Sequence, residues 1–197
     1  MPTPISDQHA LRKLFKILTE KNFYERLGWP DAPVIKYITD LLVDFIHIEN
    51  VYRLKSASGK QLREVAQMLL EGENQARVGS REREREVHRH IGDYTLFMMG
   101  IFPEYLKRLK SASSALGRES ALISHPDVLV DYIKVGKRSY RIVSELTSGG
   151  SFREIAPLFR KLSEHFELCV MGLAYIRYDM DRLRLPSHTR VRKILLN

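Results

Sequence analysis

A chain of 197 residues with 44% hydrophobic content is long enough to enclose one sizeable core. Its net charge is +8, and its single cysteine, Cys169, excludes an internal disulfide. The longest uncharged runs, Tyr94 to Pro103 and Leu168 to Ile176, reach about half of the ~20 residues needed to cross a bilayer, so no membrane-spanning helix is expected.

Apolar residues recur at helical spacing almost throughout, and no segment alternates as a strand does. The expectation is an all-α, single-domain bundle of about six or seven helices over residues 1–185, followed by a basic tail at 186–197. A first helix after Ser6 carries Leu11, Leu14, Phe15 and Leu18 on one stripe and ends near Gly28 and the Trp29-Pro30 turn. A second starts around Pro33 and aligns Val34, Ile38, Leu41, Phe45, Ile48 and Tyr52. Ser58 and Gln61 read as a capping box for a third helix bearing Leu62, Val65, Ala66, Leu69 and Leu70, with Gly72 and Gly79 bracketing the loop beyond it.

The fourth helix opens with RERERE at 81–86, whose opposite charges pair at three-residue spacing in solvent. Beyond Val87 it turns inward, and Pro103 forces a break between Gly100 and Pro103 before a short helix through Leu109. Residues 111–124 form a Ser- and Ala-containing connection. Ser124 and Asp127 cap a fifth helix through Leu146, with Pro126 in its first turn, and Thr147 to Gly150 is a turn. The last helix begins at the capping box Ser151 to Glu154, is kinked or divided by Pro157, and aligns Leu158, Leu162, Cys169, Leu173, Ile176 and Met180 before Pro186 stops it. The string RLKSAS occurs at 53–58 and at 108–113 and goes no further, which marks two similar helix ends rather than a repeat.

Chemistry is sparse in this chain. It contains no GxGxxG, Walker A, GxSxG or HExxH string. The run RHIGDYTLFMMGIFPE, residues 89–104, places His90 and Asp93 at the edge of an apolar surface, where an ionisable group needs a partner or a role. Projection of the second helix puts Glu49 on its apolar side, with Arg53 one turn on and Arg89 or His90 across the bundle as partners. Tyr132 and Tyr140 are candidates to complete the group. The candidate polar cluster is therefore Glu49, Arg53, His90, Asp93 and Tyr140.

No Glu-x-x-His motif is present, so no di-iron site and no cofactor are expected. The one metal alternative is Glu86, His90 and Asp93 along one side of the fourth helix. Cys169 reads as core rather than nucleophile, and its pairing with His165 as a metal site is weak. Gly92, Gly100, Gly136, Ser139, Gly172 and Ala174 are small residues that allow close packing or leave room for a ligand.

The segments ENVYRLKSASGKQL at 49–62, RHIGDYTLFMMGIFPE and YIKVGKRSY at 132–140 together resemble an uncharacterised bacterial family of helical proteins. That resemblance implies a bacterial, cytosolic single domain and brings no activity, cofactor or ligand with it.

The N-terminus has no signal-type apolar run, so a cytoplasmic location is expected. The functional expectation is a binding or assembly module that self-associates as a homodimer. A small-ligand- or metal-binding helical enzyme built on His90 and Asp93 is the alternative. The basic residues Arg182, Arg184, Arg190, Arg192 and Lys193 offer an anionic partner such as nucleic acid a contact surface, but a solvated tail is the reading preferred.

Overall fold

Charge alternation and the uncharged run behind it lie on one 21-residue helix whose first two turns are solvated and whose remainder is enclosed. A computed structural model of the chain describes residues 10–106, 128–148 and 154–183. In order, the elements are α1 (Ala10–Lys21), a π-helical turn (Asn22–Arg26), α2 (Ala32–Asp44), α3 (Ile48–Val51), α4 (Val65–Arg77), α5 (Arg81–Ile101), α6 (Val128–Thr147), α7 (Ala156–Glu164) and α8 (Phe166–Arg182). Among the described residues no strand forms, and one isolated bridge joins Lys55 to Gln61. The fold is all-α, and no described helix is long and apolar enough to cross a membrane.

Helix α5 is the axis of the bundle. From Val87 to Ile101 every residue except Arg89 is buried, because α2, α4, α6 and α8 pack around it. A helix without a polar face is stable only in such a position. Two of its glycines set the packing distance. A Cβ at Gly92 would lie 2.6 Å from the Tyr140 ring, and one at Gly100 would lie 2.3 Å from the Leu173 Cβ. Neither position admits a methyl group without displacing a neighbour, so these small residues serve close helix contact.

Several element boundaries depart from the spacing-based expectations. The helix expected from Pro33 to Tyr52 ends at Asp44. There the Asn50 side-chain amide donates to the Asp44 backbone carbonyl at 3.0 Å and to its carboxylate at 2.9 Å, while Arg53 donates to the other carboxylate oxygen at 2.7 Å. Such side-chain bonds compete with helix continuation and turn the chain. The Ser58–Gln61 capping box does not form either. Ser58 bonds to Ser56, Gln61 donates to the Tyr52 carbonyl, and a small loop closes through Leu62 N–H to Leu54 C=O and Gly59 at φ +81°. Helix α4 starts only at Val65, and Gly72 lies inside it against His88.

At the other end of the chain, Pro157 sits in the first turn of α7, where its missing N–H removes no intrahelical bond. The division falls instead at His165, whose ring packs tilted against Trp29 with centroids 4.9 Å apart. These two divisions raise the number of helical pieces above the six or seven expected. The 107–127 connection, the Ser124 and Ser151 caps, the second RLKSAS and the basic tail lie outside the described residues.

Candidate functional site

Asp93 is the best-organised polar group in the core. It projects from α5, is 3% exposed, and its Oδ1 accepts from the hydroxyl of Tyr37 on α2 at 2.6 Å and that of Tyr140 on α6 at 2.8 Å. Three helices thus meet on one carboxylate. Its Oδ2 accepts no hydrogen bond from the described residues, and its nearest cation is Arg89 Nε at 3.8 Å. That same Nε donates to the Tyr37 hydroxyl at 3.2 Å, and the guanidinium carbon lies 5.5 Å from the Tyr37 ring centroid. Burial raises the Asp93 pKa, opposed by Arg89 and the two tyrosine donors. Burial, reinforced by the Asp93 charge, also pushes both tyrosine hydroxyls well above their ordinary range.

This group forms the floor of an open groove of about 320 Å³ lined by Arg12, Tyr37, Asp40, Leu41, Asp44, Arg53, Arg89 and Asp93. Around its rim Arg12 pairs with Asp40, and Arg53 pairs with Asp44. Burial would raise the Asp40 pKa, but hydrogen bonds from Lys36 and Arg12 outweigh it and hold the carboxyl below its usual range. The turn at Asp44 is therefore a positioning device, since it brings Arg53 to the groove mouth. A groove of about 660 Å³ between α6 and α7 is larger, but Lys137 and Arg141 in its lining are paired with Glu167 and Glu145, and no buried ionisable residue faces it.

The polar cluster expected from the sequence is only partly brought together. Asp93 and Tyr140 touch, and Arg53 shares the groove without contacting either. Glu49 is excluded, because the break after Asp44 rotates it to the exposed side of α3. His90 makes no hydrogen bond to Asp93. Its ring is 1% exposed between Phe45 and Tyr94 with the Val51 backbone nearby, and neither nitrogen has a hydrogen-bonding partner among the described residues. Tyr132 lies instead with Tyr52 and Tyr105, which raise its pKa after burial has done most of the raising.

The metal alternative is not assembled. Glu86 is exposed on Arg83, His90 is enclosed by aromatic rings, and among the described residues no three His, Cys, Asp or Glu side chains converge. Cys169 is fully buried, and burial pushes its thiol up to about 12, which makes it an inert core residue. His165 is exposed on Trp29 and does not join it. Of the basic end, only Arg182 lies within the described residues, over the Tyr178 ring.

Tyr37, Arg12, Asp40 and Asp44 are the groove residues that spacing did not single out. Tyr37 was within reach, since it lies on the Val34–Leu41 side of α2 and a phenol there requires a hydrogen-bond partner. The Arg89–Asp93 pair has (i, i+4) spacing that is also visible in the sequence. A second buried carboxylate, Asp179, accepts from Asn22 at 3.1 Å and Arg26 at 3.0 Å and ties the π-helical turn to α8. Burial would raise its pKa, but these donors and Lys21 lower it below the usual range. The donors there join two elements, while the Asn22 Oδ1 is buried without a hydrogen-bond partner among the described residues.

The fold and the site define an all-α bundle with a charged groove over a buried carboxylate. Comparison with protein families, curated proteins and solved structures finds no match to this chain.

Proposed function

We propose that the protein is a binding module and that the groove over Asp93 is its recognition site for a small charged ligand. The observation that carries this reading is the Asp93 carboxylate, 3% exposed, with one oxygen held by two tyrosines and the other left without a hydrogen bond at the floor of the groove. Most buried side-chain polar atoms have a hydrogen-bond partner in the protein or in water, so this oxygen is open to a donor that enters the groove. Arg89 adds a half-exposed guanidinium whose terminal nitrogens make no hydrogen bond to the described residues. The groove volume is at the small end of the ~300–1,000 Å³ typical of ligand sites.

Thermal melts against a panel of small carboxylates, phosphate esters, amines and amino acids test the reading. A ligand at a hundred times its Kd adds about 2.7 kcal/mol, which for a chain of this length raises Tm by roughly 5–10 °C. The rise is expected in the native sequence and absent in Arg89→Met. A panel in which no compound moves Tm, or in which Arg89→Met responds equally, defeats it.

Self-association is a second reading, favoured by Met171 and Tyr178, which are 43% and 55% exposed two turns apart on α8. Sedimentation equilibrium should then show a dimer that Tyr178→Glu dissociates. A monomer at all concentrations rejects it.

A further inference from the structure

The balance of charge around the groove defines the chemistry that it can hold. Three cations, Arg12, Arg53 and Arg89, face three acids, Asp40, Asp44 and Asp93. A simple anion entering this space gains the arginines and is repelled by the aspartates, and a simple cation meets the reverse. Arg12 is committed to Asp40, and one terminal nitrogen of Arg53 is committed to Asp44. Beside the other nitrogens of Arg53, the remaining capacity is of both signs and adjacent at one place: the terminal nitrogens of Arg89, and the Oδ2 of Asp93 that lies 3.8 Å from Arg89 Nε.

We infer that the groove takes a small zwitterion of the α-amino acid type, its carboxylate on the Arg89 guanidinium and its ammonium on Asp93 Oδ2. This deepens the proposed binding function and rests on it. Because Arg89 Nε is engaged with Tyr37, the carboxylate meets the edge formed by the two terminal nitrogens, which donates two parallel hydrogen bonds to it. Tyr37 and Tyr140 hold Oδ1 from behind, so the free oxygen is fixed in direction before the ligand arrives. The ring of Tyr37 and the side chain of Leu41 are the apolar part of the lining, and they suit an aliphatic or aromatic side chain over a charged one. Each charged end of the ligand replaces water on a group that is otherwise incompletely paired, and removing either end leaves a desolvated partner stranded.

The test is calorimetric titration of the full chain with the standard α-amino acids, followed by the best binder against its deaminated acid and its decarboxylated amine. Both analogues are expected to bind at least tenfold more weakly than the parent, a difference of about 1.4 kcal/mol for each lost group. Asp93→Asn, which keeps an acceptor for both tyrosines, should lose at least tenfold for the amino acid while binding the deaminated acid at least as tightly as the native chain does, since a repelling charge is removed. Arg89→Met should show the opposite pattern, losing the amino acid and the deaminated acid while binding the amine at least as tightly as the native chain does. Binding of the deaminated acid or of inorganic phosphate as tightly as any amino acid overturns the zwitterion assignment and leaves the groove as a binding site. If no amino acid, acid, amine or phosphate binds the native sequence, both the assignment and the proposed function fall.

Discussion

Replacement of Asp93 by Ala is expected to lower the stability of the fold by roughly 3–5 kcal/mol, a large part of the ~5–15 kcal/mol available to a domain. The Tyr140 hydroxyl is fully buried and the Tyr37 hydroxyl is partly so, and both lose their acceptor together. Each stranded donor costs about 1–3 kcal/mol, and the space left by the carboxylate adds a cavity. Asp93→Asn retains the Oδ1 acceptor and should cost only about 1 kcal/mol. Arg53→Met should be close to neutral, because the Arg53–Asp44 pair is exposed and such pairs contribute under about 1 kcal/mol. Urea unfolding of Asp93→Ala, Tyr140→Phe and the double variant closes a thermodynamic cycle. Strong coupling is expected, since the tyrosine hydroxyl has nothing left to lose once its acceptor is gone. Additive effects would mean that the three-helix junction does not exist.

The class of fold and the central position of α5 follow from periodicity and from the lack of charge after Val87, and both are local signals. The same is true of the RERERE pairs, where Arg83–Glu86 forms at 2.6 Å at the expected three-residue separation. What periodicity misses is competition between side chain and backbone. Nothing in the apolar stripe from Val34 to Tyr52 announces that Asp44 will collect Asn50 and Arg53 and end the helix. That single event moves Glu49 out of the expected cluster and Arg53 to the groove mouth. The site is legible to the same degree: Asp93 stands out as a charge at the head of an uncharged run, whereas Tyr37 reaches it across 56 residues of sequence. Partners at that separation are set by how helices cross, and crossing angles leave little trace in one sequence. The spacing of the glycines leaves close packing and ligand room both open, and the structure resolves it at Gly92, where Tyr140 comes close enough to reach Asp93.

The protein should lose stability steeply as pH falls from about 6.5 to about 4, because two buried histidines resist protonation in the folded state. Burial lowers the His90 pKa to about 3, with Arg53, Arg83 and Arg89 adding to the effect, and lowers that of His88 to about 4, with Arg138 assisting. Among the described residues, His88 has a 3.5 Å contact between its Nδ1 and Ser139, and His90 has no hydrogen-bonding partner. At His90 burial and Arg53 outweigh the Val51 backbone, which favours the proton, and at His88 burial and Arg138 both disfavour it. Unfolded histidine titrates near 6.5, so below that value the unfolded chain binds protons that the folded chain does not, and the equilibrium shifts toward unfolding. Each histidine removes up to about 1.4 kcal/mol per pH unit, or roughly 3 kcal/mol by pH 4. Asp93 acts in the opposite sense: its raised pKa means that the folded chain takes up its proton first, which moderates the loss. The lowered carboxyls Asp40, Glu167 and Asp179 forfeit their contribution only as pH falls through the ordinary carboxylate range toward their folded values, beneath the histidine window. Urea unfolding between pH 7.5 and pH 4.5 measures the slope. His90→Phe suits the Phe45–Tyr94 aromatic surroundings and removes one titrating group, so it should match or exceed native stability at neutral pH and flatten the acid limb by about half. If the variant's limb runs parallel to that of the native chain, His90 is not the group that fails to take up its proton, and the acid sensitivity belongs elsewhere in the fold.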